Sequence, residues 1–195
     1  MRRSPWRWLI AVSVLLAAGS VALWADPPDF VTEKKAQAAI VNLSDRLDAS
    51  NTSEMAKKIV AEHQSPDISS IFAPRHRGGL GIGMATKAGH RDSIDALIRD
   101  FAHKKTTTEA ELEEYYSDYL RVAKVMQAMA ELAPYRASQF VRDNQDRMIE
   151  WQKTALDFKQ KTAAFRKAIE EKDPKKVRMT ALDLHHTCCD CHNQT

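Results

Sequence analysis

Glycine and proline are scarce in this 195-residue sequence, at six and seven, which excludes collagen-like and low-complexity chains. Cysteine is scarcer: three, all within residues 188–191. Thiols so placed cannot staple a whole fold, and they mark a local chemical site instead. No run of β-branched residues is bounded by turn chemistry, so no strand is predicted. Acidic residues are missing from positions 1–25, where Arg2, Arg3 and Arg7 account for the whole formal net charge of +3. The remainder is formally neutral, and it lacks the basic excess with which a nucleic-acid-binding protein displaces counterions. What is present is 44% hydrophobic and 28% charged residues in 22.0 kDa. That supplies one domain with a real core, with or without an appendage.

Residues 1–25 read as an export signal: Arg2, Arg3 and Arg7, then an apolar run over 8–23, then Ala25 as the cleavage point ahead of Asp26, Pro27 and Pro28. Leu23 is bulky for the small-residue position before the cut. The rival reading is an uncleaved anchor over 8–25, with Trp6, Trp8 and Trp24 at its ends as interface residues. The cleaved signal is preferred, and both readings deliver the body outside the cytoplasm, to the periplasm. The paired arginines lack the rest of a twin-arginine pattern, so export of an unfolded chain is expected.

Apolar spacing beyond Asp26 predicts helix nearly throughout. Leu112, Tyr115, Tyr119, Val122, Met126 and Met129 alternate steps of three and four. So do Met148, Trp151, Ala155, Phe158, Thr162, Phe165 and Ile169, and again Val177, Ala181, Leu184, Cys188 and Cys191. Such narrow seams belong to helices packed side by side at a shallow angle. Asp173 and Pro174 separate the last two as cap and first helical residue, and Pro134 bounds the first. A weaker helix is predicted over 92–103, from Ile94, Leu97, Ile98 and Phe101. Two more are expected, one around Ala36, Ile40, Leu43 and Leu47 and a short one from Met55 to Glu62. The expected fold is all-α, an antiparallel four-helix bundle with an N-terminal helical extension. The expected divisions are the leader at 1–25, the extension at 26–72, a linker at 73–88 and the bundle at 89–195.

That linker holds Gly78, Gly79, Gly81 and Gly83. A phosphate cradle would need a preceding strand and a Gly-Lys-Ser/Thr ending, and neither is there. A flexible linker or docking loop is the expectation.

The informative stretch is His185, His186, Thr187, Cys188, Cys189, Asp190, Cys191 and His192. Cys188 to His192 spell C-x-x-C-H, the attachment signal of c-type haem. Two thiols three residues apart on a helix share a face, where each can add to a porphyrin vinyl group, and the adjacent imidazole can ligate iron. A thioredoxin-like dithiol would follow a strand, and none is predicted. Structural zinc usually draws on two separated ligand pairs. A haem-free soft-metal site built from His185, His186 and the three thiols competes more strongly. Three incidental buried cysteines beside a histidine compete poorly. The exporting leader and the continuation of the core seam into Cys188 and Cys191 favour one covalent haem c.

A helical chain of this size with C-x-x-C-H on its last helix resembles the cytochrome c-prime family and its low-spin relatives. The resemblance covers 89–195 by helix pattern, and Cys188, Cys191 and His192 carry its only specific motif. It implies thioethers at Cys188 and Cys191 and the proximal iron bond at His192. It also implies a distal residue from the first bundle helix, for which Met84 is the best-placed candidate. The sequence departs from the family in its long N-terminal portion, in Cys189 at a position often basic, and in the glycine-rich loop.

Antiparallel packing would bring Met84, Met126, Met129, Met148 and Trp151 around the end of the last helix. An open sixth position, or ligation by His76 or His90, stands beside Met84. Tyr115, Tyr116, Tyr119, Phe158 and Phe165 are expected in the core. Arg75, His76 and Arg77 belong to a solvated loop, or alternatively meet the haem propionates. His185 and His186 are expected to be exposed, and Cys189 a spare outward thiol. The expected function is one-electron transfer with an unidentified redox protein, without substrate turnover. A five-coordinate haem module that binds or senses NO or CO is the alternative. A membrane tether through 8–25 and a homodimer are left open.

Overall fold

The structure, a computed structural model, describes residues 30–83, 92–103 and 107–193, with side chains over 33–83, 92–103 and 107–190. The leader, Met84 and His90 therefore lie outside the described residues. All regular structure among the described residues is helical, and no strand occurs there. No helix among them is long and apolar enough to cross a membrane.

Among the described residues nine α-helices follow one another: α1 Phe30–Ser44, α2 Thr52–Glu62, α3 Ser65–Ser69, α4 Ile94–His103, α5 Glu109–Glu114, α6 Tyr116–Leu132, α7 Gln139–Arg142, α8 Gln145–Glu170 and α9 Pro174–Asn193. Local chemistry sets their starts. Ser93, Thr108, Ser138 and Asn144 each accept, through a side-chain oxygen, a backbone N–H of the helix that follows, satisfying donors that the first turn leaves unpaired. Asp173 does the same for α9, accepting from the N–H groups of Lys175 and Lys176 at 3.0 and 3.1 Å, with Pro174 as first helical residue. Those bonds and the Lys176 ammonium hold the Asp173 carboxyl below its usual range. The seam drawn through Leu112 and Met129 is broken at Tyr115, whose non-helical ψ of 19° separates α5 from α6.

The seams become the core. Tyr119, Val122, Met126 and Met129 on α6, Thr162, Phe165 and Ile169 on α8, and Val177, Ala181 and Leu184 on α9 are all buried. α9 packs against α8 and α4, and α8 also against α6. The α6–α8 pair is antiparallel: Glu131 meets Lys159 at 2.8 Å, Gln127 meets Arg166 at 3.1 Å, and Glu113 meets Lys172 beyond the end of α8. The α8–α9 pair is a helical hairpin, closed by Glu171 and Lys176 at its turn. Phe101 of α4 completes the packing, its ring centre 5.1 Å from Tyr119 and 6.1 Å from Phe165.

The N-terminal helices share this core. Ala36, Ile40 and Leu43 of α1, Ala56 and Ile59 of α2, and Ile68 and Ile71 around α3 belong to the same apolar cluster, and Thr32–Thr195 forms one compact unit. The described part of the segment expected as a flexible linker or docking loop over 73–88, residues 73–83, packs closely on its neighbours. Gly79 lies so close to the Ala73 carbonyl that a Cβ would fall 1.6 Å from its oxygen. Gly78, which ends the short 3-10 turn Arg75–Arg77, takes a left-handed φ of 86° that favours glycine. Gln37 donates to its carbonyl, and Leu80 N–H bonds the Ile71 carbonyl. Glycine serves close approach here.

Candidate functional site

The C-x-x-C-H motif occupies the last turns of α9, whose helix runs unbroken to Asn193. Cys188 is half-buried and Cys189 exposed, as the periodicity predicts for a seam residue and its neighbour. The backbone of Cys191 and His192 is helical, and their side chains lie outside the described residues. Within a continuous helix, residues 188 and 191 fall on one face and 189 on another.

The residue before the motif is the best anchored on this end of α9. Thr187, 1% exposed, donates to Asp157 of α8 at 3.1 Å and accepts from Lys161 at 2.8 Å. Lys161 also pairs with Asp157 at 2.8 Å. This three-residue network, invisible in the sequence because Thr187 lies 26 and 30 positions from Lys161 and Asp157, pins α9 to α8 one residue before Cys188. The hydrogen bond from Lys161 foremost, and that from Thr187, hold the Asp157 carboxyl below its usual range against the opposing effect of burial. A group with a depressed folded-state pKa stabilises the fold above its unfolded pKa, about 4, and loses that contribution as pH falls through the folded value. Asp157→Asn is therefore expected to lower the urea midpoint at pH 7, with the gap from the parent closing as pH falls below about 4. A gap independent of pH would show that the network is not ionic.

Compared with known proteins, the chain matches no protein-family model, no curated protein and no solved structure.

The remaining candidates fall into three groups. Met126 and Met129 are buried in the main core. Met148 and Trp151 instead join Ala137 and Val141 in a second, smaller cluster, where Trp151 donates its indole N–H to the Ala133 carbonyl at 3.0 Å. The short helix α7 and the turn after α6 build that cluster, and the seam spacing gave no sign of it. Tyr119 and Phe165 are core residues, as expected, with Tyr115, Tyr116 and Phe158 packed at its edge. Burial pushes the Tyr119 pKa up, helped by Glu111, to which its hydroxyl donates at 3.3 Å.

Arg75 is committed to its own loop. Its guanidinium donates to the carbonyls of Ile82 and Gly83 and lies 3.2 Å from Asp92, which in turn accepts the Ile82 N–H. His76 and Arg77 are exposed. His186 is exposed, whereas His185 is half-buried against His103 of α4, ring centres 5.2 Å apart. The described residues contain no group of three or more His, Cys, Asp or Glu side chains gathered to hold a metal ion. The donor chemistry of the motif suits haem c: a half-buried thiol on the bundle side of a helix that continues through the second thiol and the histidine.

Proposed function

We propose that this chain is an exported c-type cytochrome with one covalent haem, transferring single electrons between protein partners outside the cytoplasm. The observation that carries the reading is the position of C-x-x-C-H on an unbroken final helix, with Cys188 half-buried and Cys189 exposed. Cys188 and Cys191 would hold the haem as thioethers and His192 would ligate its iron. Bound there, the haem supplies a one-electron iron couple whose potential its ligands and burial tune. The chain's own contribution is position. The Thr187–Asp157–Lys161 network fixes the register of α9 at the motif, and the fully buried Leu184 one turn earlier excludes water from the bundle side. Covalent attachment lets a small bundle retain the cofactor without a fully enclosing pocket. Met84 is not proposed as the sixth ligand, because its neighbour Gly83 lies against the Asp118 carboxylate at the start of α6, whereas the motif lies toward the end of α6 and the start of α8, as the Glu131–Lys159 and Thr187–Asp157 contacts fix.

The test is to mature the full chain in a bacterial host with haem-attachment machinery, then run a denaturing gel stained for haem. Colour that stays with the polypeptide is expected. Native material whose mass is that of the bare polypeptide would overturn the proposal. Carbon monoxide added to the reduced protein then reads the sixth position. An inert spectrum is expected of an electron carrier with a strong sixth ligand, and rapid uptake would identify a gas-binding module instead.

A further inference from the structure

We infer that His103 and His185 form a second site, one for a divalent transition metal of the zinc class, at the contact between α4 and α9. It uses no residue of the C-x-x-C-H motif and stands independently of the haem reading.

The two histidines come from different helices and lie 82 positions apart in the chain, so sequence spacing gives no hint of the pair. His103 ends α4 and is exposed, and His185 is half-buried on α9. Their ring centres are 5.2 Å apart, with the planes at 88°. Two imidazoles bound to one tetrahedral zinc, each at roughly 2.0–2.1 Å through nitrogen, put their ring centres about 5 Å apart. The pair already has that separation.

The second observation is the state of His185 itself. Its Nδ1 is shut off from solvent and has no hydrogen-bond partner. Buried imidazole nitrogens are ordinarily paired, and one that is not calls for an explanation. A cation at the α4–α9 contact satisfies a ring nitrogen that the fold leaves unpaired, and rotation of the exposed His103 ring supplies the second ligand. His186, its ring centre 6.4 Å from that of His185, adds a neighbouring imidazole on the solvent side. Two protein ligands leave the other positions of a tetrahedral ion to water, so binding must first open Nδ1, covered in the metal-free pair, to solvent. That is the open coordination of a binding or exchange site, and a structural zinc site is closed. Both ligands sit on helices packed against one another, which limits the reorganisation that binding requires.

The test is equilibrium dialysis of zinc against the full chain after its accessible thiols are blocked with iodoacetamide, so that the cysteines do not compete. One zinc per chain is expected, with X-ray absorption showing two imidazole nitrogens at about 2.0 Å. His103→Ala and His185→Ala should each weaken binding at least tenfold, since loss of even an outer-sphere partner commonly costs about 10–100-fold. His103 is exposed, so His103→Ala leaves the fold intact and circular dichroism checks this. His76→Ala, in the 3-10 turn Arg75–Arg77, should bind zinc as the parent does. The proposal is overturned if the blocked parent shows no saturable zinc, if His103→Ala binds like the parent, or if His76→Ala weakens binding as much as His103→Ala does.

Discussion

Cys188→Ala combined with Cys191→Ala is expected to remove all covalently held haem, leaving no stained band on a denaturing gel. Each thioether needs its own thiol, so either single variant should keep a haem held by one bond. Cys189→Ala should stain like the parent, because Cys189 is exposed and lies off the face that carries Cys188. That contrast separates the motif from a general effect of losing thiols near the end of α9. The helix should survive in the double variant, since alanine is the best helix former and Val177, Ala181, Leu184 and Thr187 still bury its inner face. The stability lost is what a tightly held cofactor adds to the native state alone, and thermal unfolding followed by circular dichroism should show it as a lower midpoint. Unchanged haem staining in the double variant would refute the assignment of the thioethers.

The largest effect on folding is expected at Phe165. It has no exposed surface and packs from α8 against Phe101 of α4, in the cluster that also holds Tyr119 of α6 and Leu184 of α9. Phe165→Ala removes the whole ring from a site that helices on every side prevent from collapsing. A loss of about 3–5 kcal/mol is expected, a large fraction of the roughly 5–15 kcal/mol that keeps a domain folded. Leu156 lies on the same helix but is 57% exposed, and Leu156→Ala should change stability by no more than about 0.5 kcal/mol. Urea denaturation of the two variants beside the parent measures both. Similar small effects at the two positions would show that the buried face of α8 is not the one drawn through Trp151, Thr162 and Phe165.

That face is legible in the sequence, and the reason is periodicity. A helix seven residues long returns nearly to the same azimuth, so Thr162, Phe165 and Ile169 declare a common side whatever they pack against. The caps Asp173 and Pro174 were legible for a similar reason, since their chemistry acts on the next three residues and on nothing distant. The break at Tyr115 was not, because the apolar steps run straight across it and only the backbone turns. The second cluster under Trp151 was hidden because Val141 lies on a four-residue helix and Ala137 on the stretch before it, neither long enough for a readable period.

The glycine-rich segment marks the boundary between what chain-local reasoning reaches and what it does not. Gly78, Gly79, Gly81 and Gly83 look like slack in a sequence, whereas the fold uses Gly79 to let one stretch of backbone pass against Ala73. Flexibility and close approach call for the same residue, and only the neighbour decides which is meant. The same holds for Thr187 with Asp157 and Lys161, and for His103 with His185.

The sequence alone determined the helical class, the buried faces of α6, α8 and α9, and the spacing of Cys188, Cys191 and His192 along the last helix, because each depends on residues a few positions apart. The tertiary structure alone decided that the N-terminal helices share one core with the rest, that Arg75 closes its own loop on Asp92, and that a histidine from α4 meets one from α9. Those depend on loops that return distant segments to one place, and the side chains brought together there carry no mark of the meeting in their order along the chain.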